Sequence, residues 1–263
     1  MGLNAFFSYT VVGSMGYSWE VALGAVFISG FLFFLLSAFK VREWIINSIP
    51  MPLRSAIAAG IGLFLALIAL KNAGIVVPHD ATMVSLGDMT QPAPILAALG
   101  FVLIVALAFK RVTGAVMIGI LVVTGISLML GLSQATGVVS APPSLEPTLM
   151  QLDLRGAFEI GLISVVFAFL FVDLFDTSGT LIGVAQRANL LDENGRMPRL
   201  GRALMADSTA TMAGSLMGTS TTTSYIESAA GTAAGGRTGL TACVVAILFL
   251  LCLFLSPLAT AVP

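Results

Sequence analysis

Apolar residues recur along most of this chain in runs too long and too uniform to form a one-sided helical stripe. A helix needs about 20 mostly apolar residues to cross the hydrocarbon layer of a bilayer. Runs that reach or approach this length lie at roughly 18–39, 52–71, 92–109, 113–133, 157–183, 203–217 and 239–256. The connections between them carry breakers. DENGRMPR (192–199) holds an Asn-Gly turn and a proline, and SAPPSLEPT (140–148) is proline-rich. Two stretches fall outside the pattern. Residues 1–16 are apolar but too short for a full crossing, and TSTTTSYIESAAGTAAGG (219–236) is polar, small and glycine-rich although it lies between two spans.

Composition fixes the class. The 263 residues are 57% hydrophobic and only 10% charged, with a mean hydropathy of +1.02, whereas soluble domains carry roughly 25% charged residues. The chain is an all-α polytopic membrane protein. A net charge of -1 without any basic block excludes nucleic acid as a partner. Cys243 and Cys252 share one apolar run; on a helix they stand ~13 Å apart along the axis and cannot bridge. The opening MGLNAFFSYTVVG lacks a basic n-region, so no cleavable signal peptide is expected.

Charge in the connections gives orientation. Lys40, Arg42 and Arg54 flank one loop, Lys110 and Arg111 another, and Arg187, Arg196, Arg199 and Arg202 a third, while Arg237 follows the glycine-rich stretch. The intervening loops, 74–91 and 134–156, hold Asp80, Asp88, Glu146 and Asp153 with one arginine, Arg155. Basic loops face the cytoplasm. The alternation closes only if 219–236 also crosses the membrane. Irregular backbone at that depth must be covered by protein or line a wet cavity, so a discontinuous helix is expected there.

Two aspartates stand inside the fifth run, in FVDLFDTSGTLIGV (171–184). A charged side chain at the centre of a membrane helix costs about 3 kcal/mol on insertion scales. On a helix Asp173, Asp176, Thr177 and Thr180 fall at i, i+3, i+4 and i+7, one polar stripe. Such a stripe either caps and pairs within a packed core or faces a binding cavity. No lysine or arginine sits at membrane depth in any of these spans, so ion pairing is not expected. Glu227 is the second feature, in a stretch whose hydroxyls from Thr219 to Ser224, Thr223 among them, can line a site. Asn4 is the third, with both donors and acceptors on its amide. Glu20 and Glu159 are expected at span ends near the interface, Asp207 at the start of a span where it suits the helix dipole, and His79 in a loop. Grouped carboxyls can both accept hydrogen bonds from a flat heterocycle and carry a proton.

A short internal echo supports transport. FFSYTVVG (6–13) and TTSYIESAAG (222–231) share Ser-Tyr followed by small or apolar residues and glycine, each before a long apolar run, in opposite directions through the membrane. Inverted repeats with broken helices at the midplane mark secondary transporters. An intramembrane aspartyl protease also uses two membrane aspartates, but on two facing helices. Here they are three residues apart on one helix, and no GxGD motif occurs.

MGLNAFFSYTVV, DLFDTSGTLIGVA, LLDENGRMPRLGRALMAD and GTSTTTSYIESAAG closely resemble the adenine/guanine/hypoxanthine permease family of the nucleobase:cation symporter (nucleobase–ascorbate transporter) superfamily. The resemblance implies a fold of fourteen spans in two inverted seven-span repeats, divided into core and gate domains, with the third and tenth spans broken. Residues 1–40 would form the third and fourth spans, 41–133 the gate-type spans, 134–156 an extracytoplasmic loop and 157–263 the eighth to eleventh spans. Two spans would then precede this chain and three follow it. The implied activity is proton-coupled uptake of purine nucleobases across the plasma membrane (the bacterial inner membrane), with the proton as coupling ion and no organic cofactor or metal. Implied substrate contacts are Asp176, Glu227, Asp173, Asn4 and Thr223, with Asp176 favoured over Asp173, and the proton is expected on Asp173, Asp176 or Glu227. Half-helix N-termini are expected at 3–8 and 225–230, beside the base. Relatives suggest a homodimer through the gate domain. A truncated, non-transporting fragment is one alternative. An anion carrier of the same fold is another, which three acids and the lack of a buried cation disfavour.

Overall fold

The computed structural model describes residues 2–133, 137–158, 162–193 and 195–262. Glu159, expected at an interface, and Asn194 of the expected turn lie outside the described residues. The chain divides into two compact units, residues 1–65 with 144–237 and residues 66–143 with 238–263.

The first unit opens with α1 (Gly2–Ala5), which continues as a π-helical stretch, Phe6–Ser14. Ser18 then caps α2 (Trp19–Ala38), its hydroxyl accepting from Val21 N at 3.4 Å. Lys40 turns the chain with a φ of 59° into a short helix, α3 (Val41–Ser48), followed by α4 (Met51–Asn72), whose start lies in this unit. After residue 144 come α7 (Leu162–Arg187), α8 (Leu200–Leu216), a non-helical stretch and α9 (Ser228–Ala233). α2 is the hub, packed on α7, α8 and α3.

Lipid offers no hydrophobic drive for one helix to meet another, so close packing and hydrogen bonds must hold the helices. Leu3, Val11, Ala22, Ala25, Val26, Val165 and Phe169 form one apolar cluster, with Phe6 edge-on to Phe169 at 5.2 Å. Gly30 lets α2 approach α8, where a Cβ would stand 3.1 Å from Thr211 Cγ2. Segment 144–158 is tied to the helix ends: Met150 N donates to Leu216 O at 2.8 Å and Asp153 N to Glu20 O at 2.9 Å.

The second unit contains the rest of α4, an antiparallel hairpin of β1 (Val76–His79) and β2 (Met83–Leu86), α5 (Pro92–Phe109), α6 (Ala115–Met129), α10 (Gly239–Cys252) and α11 (Ser256–Thr260). α5 and α6 pack through glycines, Gly100 against Val123 and Gly119 against Ile104. Val76 pairs with Leu86 and His79 with Met83, and the His79 ring closes the turn, its Nδ1 3.1 Å from Thr82 Oγ1. Ahead of α5, Thr90 donates to Asp88 Oδ1 from its hydroxyl at 2.6 Å and its N–H at 2.9 Å. These bonds, the hydroxyl's first, hold the Asp88 carboxyl below its ordinary pKa. No residue of α10 is buried in the unit, and Cys243 and Cys252 on it are free and exposed.

The expected spans map onto α2, α4, α5, α6, α7, α8 and α10 within a few residues. Among the described residues four helical segments are long and apolar enough to cross a membrane: Trp19–Ala38, Pro92–Phe109, Ile163–Arg187 and Gly239–Thr260. Three local differences stand out. The hairpin and α3 appear where a loop was expected, because each is too short to impose a periodic pattern. The Ser-Tyr echo does not correspond in local structure: Ser8 and Tyr9 lie inside the π-helical stretch, whereas Ser224 and Tyr225 precede α9.

Candidate binding cavity and its buried ion network

α7 carries the polar stripe, and the structure divides it between two environments. Asp173 is 3% exposed and Thr177 0%. Their partner is a cation the sequence did not place in the membrane layer. Arg42, 0% exposed, stands at the second position of α3 with its guanidinium 4.0 Å over the Phe33 ring. Arg42 NH2 lies 3.6 Å from Asp173 Oδ2 and 3.2 Å from Asp207 Oδ2, and NH1 donates to Ser208 Oγ at 3.4 Å. Ion pairing is therefore present after all. The positive-inside count had assigned Arg42 to a loop because it lies just past a span end. The available signal was its spacing from Ile46, i to i+4 on a short helix, which puts both on the buried face.

Asp207 is corrected with it. It is the eighth residue of α8, buried in the helix middle, not a carboxylate at a helix start. Its Oδ2 faces Arg42 while its Oδ1 accepts from Thr223 Oγ1 at 3.0 Å and from Ser224 N at 3.3 Å. Thr177 Oγ1 lies 3.0 Å from Asp173 Oδ1 and 2.8 Å from Thr223 Oγ1.

These bonds explain how 219–227 survives without regular structure. Backbone groups at membrane depth need partners within the protein. Thr211 Oγ1 donates to Thr222 O at 2.7 Å, and Asn4 Nδ2 donates to Ser220 Oγ at 2.7 Å and Thr221 O at 3.2 Å. Side chains of α1, α7 and α8 thus do for this stretch what a helix does for itself. α8 must also be bare where the stretch crosses it. A Cβ at Gly214 would collide with Thr222 Oγ1 and stand 2.9 Å from Thr219 Cγ2. Gly214→Val is expected to cost about 1–3 kcal/mol through overpacking, read as a lower melting temperature of the purified protein in detergent. An unchanged melting temperature would refute this packing.

Beyond the stretch the chain enters α9 with Glu227 at the N-cap position, where its side chain makes no capping hydrogen bond. Here a cavity of about 460 Å³ opens. Asp176 and Thr180 of α7 line it together with Ser224, Tyr225, Ile226 and Glu227, and its apolar wall includes Phe6, Phe64, Phe171 and Phe175. The volume lies within the range of small-molecule sites, roughly 300–1,000 Å³.

Of the five sequence candidates, Asp176 and Glu227 meet on this wall. Asp173 and Thr223 belong to the ion network behind it, and Asn4 fastens α1 to the irregular stretch. The buried cation absent from the sequence reading is present, but it is shared by two carboxylates and does not line the cavity.

A helical bundle with an interrupted span and an acid-lined cavity is the architecture of a membrane transporter. The chain superposes with a TM-score of 0.68 on the transmembrane domain of a cyanobacterial bicarbonate transporter, BicA, at 15% identity, covering 98% of this chain and 67% of that one. That match concerns the fold. The chain belongs to the permease family Xan_ur_permease, whose profile matches residues 1–263. It is similar to the adenine permease AdeP of Escherichia coli, 49% identical over 263 residues, which is 100% of this chain and 59% of AdeP. It is also similar to the guanine/hypoxanthine permease PbuG of Bacillus subtilis, 45% identical over 265 residues, 100% of this chain and 60% of PbuG. The chain thus spans about three fifths of the length of these relatives.

Proposed function

We propose that this chain carries the substrate site of a proton-coupled symporter that takes up purine nucleobases across the plasma membrane. The observation that carries the proposal is that Asp176 and Glu227 line one cavity together with aromatic side chains. A purine is flat and bicyclic, with N–H groups on its edge. Carboxylates accept from that edge, and aromatic faces take the ring. The names of AdeP and PbuG, an adenine and a guanine/hypoxanthine permease, support the same substrate class. Two carboxyls on the wall disfavour an anionic substrate. We assign the coupling proton to the carboxyls Asp173, Asp176 and Glu227, and the core role to residues 1–65 and 144–237, the unit that holds every candidate residue. A homodimer belongs to the same reading and rests on family resemblance.

The test is uptake of radiolabelled adenine and hypoxanthine in cells without purine carriers of their own, with and without a protonophore. Two proteins are compared: this chain by itself, and a chimera in which it replaces the matching 263 residues of AdeP. Protonophore-sensitive uptake by the chimera is expected. No purine uptake by an inserted chimera would overturn the proposal. In the same assay Asp176→Asn is expected to reduce uptake more than Asp173→Asn, and the reverse order would move the substrate contact to Asp173.

A further inference from the structure

We propose that Arg42 is a positioning residue of the substrate site: through Asp207 it fixes the irregular stretch 219–227, so that Ser224 to Glu227 stand in the cavity wall. The inference extends the proposed purine site, and its purine arm rests on that reading.

Arg42 does not touch the cavity. It acts through a carboxylate with two working edges. Asp207 Oδ2 meets Arg42 NH2 at 3.2 Å, and Asp207 Oδ1 takes both Thr223 Oγ1 and Ser224 N, the residues directly before Tyr225. An ionised carboxylate only accepts, and it can do so on both oxygens at once; a protonated one must give one edge to donating. A buried carboxylate keeps its charge only with a partner cation. Among the described residues, Arg42 is the cation that contacts it. The same guanidinium reaches Asp173, whose other oxygen lies 3.0 Å from Thr177 Oγ1, and Thr177 again contacts Thr223. Both routes from Arg42 therefore end on residue 223. Among the described residues the buried Nε of Arg42 has no hydrogen-bond partner, a cost a merely structural apolar side chain would not carry.

The test uses the AdeP chimera in a cysteine-free background with Ile226→Cys as reporter, since Ile226 lines the cavity and packs near Gly183. The rate at which a water-soluble thiol reagent labels position 226 reports whether the stretch is seated, independently of any substrate. Adenine binding is measured beside it. Arg42→Gln is expected to change the labelling rate at least about tenfold and to weaken adenine binding by a similar factor, because breaking a buried pair strands the remaining charges. Arg42→Lys keeps the charge but loses the planar fork that spans Asp173 and Asp207 and stacks on Phe33, so it is expected to fall between the parent and Arg42→Gln on both readouts. Arg42→Gln combined with Asp207→Asn removes one charge of each sign and keeps an acceptor oxygen for Thr223 and Ser224. It is expected to recover most of what Arg42→Gln alone loses. An unchanged labelling rate in inserted Arg42→Gln protein would overturn the proposal, as would a double variant no better than Arg42→Gln. A parent that binds no adenine would defeat the purine reading alone, because the labelling rates still decide the role of Arg42.

Discussion

Glu227→Gln is expected to abolish proton-driven accumulation of adenine while leaving the protein folded and inserted. Glutamine matches glutamate in shape, and the Glu227 side chain makes no capping bond to α9, so no helix cap is lost with the charge. What disappears is an anionic acceptor in the lining of the cavity that Asp176 also lines. A hydrogen bond to a charged group contributes about 1.5–3 kcal/mol, which corresponds to a loss of roughly 10- to 150-fold in affinity. An amide also cannot pick up and release a proton near neutral pH, so accumulation against a gradient should fall further than binding does. The measurement is initial uptake and steady-state accumulation of adenine by the AdeP chimera, normalised to protein in the membrane. Accumulation equal to the parent's would remove Glu227 from the mechanism.

Asp207→Ala is expected to produce the largest loss of stability of any single substitution in the first unit. It strands Arg42 opposite Asp173 alone, removes the acceptor of Thr223 Oγ1 and Ser224 N, and opens a void in the middle of α8. Breaking a buried pair by removing one partner costs about 3–5 kcal/mol. Asp207→Asn keeps an acceptor for the irregular stretch and should cost clearly less. Melting temperatures of the two variants in the same detergent check this. Equal melting temperatures for Asp207→Ala and the parent would mean that the network does not hold the unit together.

The sequence made the spans and the irregular crossing legible for one reason: both are local. A run of apolar residues, or a run of small polar ones, states its environment without reference to anything distant. Asp176 and Glu227 were legible because a carboxylate in such a run stands out against it. The division of the α7 stripe was not legible. Asp173 and Asp176 are three residues apart and look alike in sequence, and only the direction of Arg42 separates them. That arginine is 131 residues from Asp173 and 165 from Asp207. Its position just beyond a span end is what a cytoplasmic anchor also looks like. Asp207 was misjudged by the same route, since the start of its helix at Leu200 follows a basic loop whose residues resemble a boundary nearer to 203. The hairpin at 76–86 escaped because two four-residue strands are shorter than any alternation can be read over.

The stretch from Ser220 to Ser224 is held one residue at a time: Ser220 and Thr221 by Asn4, Thr222 by Thr211, Thr223 and Ser224 by Asp207. A helix gets its stiffness from a repeating backbone pattern that few side chains other than proline disturb. This segment gets it from separate fasteners, each replaceable by one codon. Its contour therefore depends on separate side chains, and those outside the buried ion network, Asn4 and Thr211, can change without touching Arg42 and its carboxylates. The ability to tell one heterocycle from a near relative would then reside less in the residues that touch the guest than in the unseen ones that pin the wall from behind.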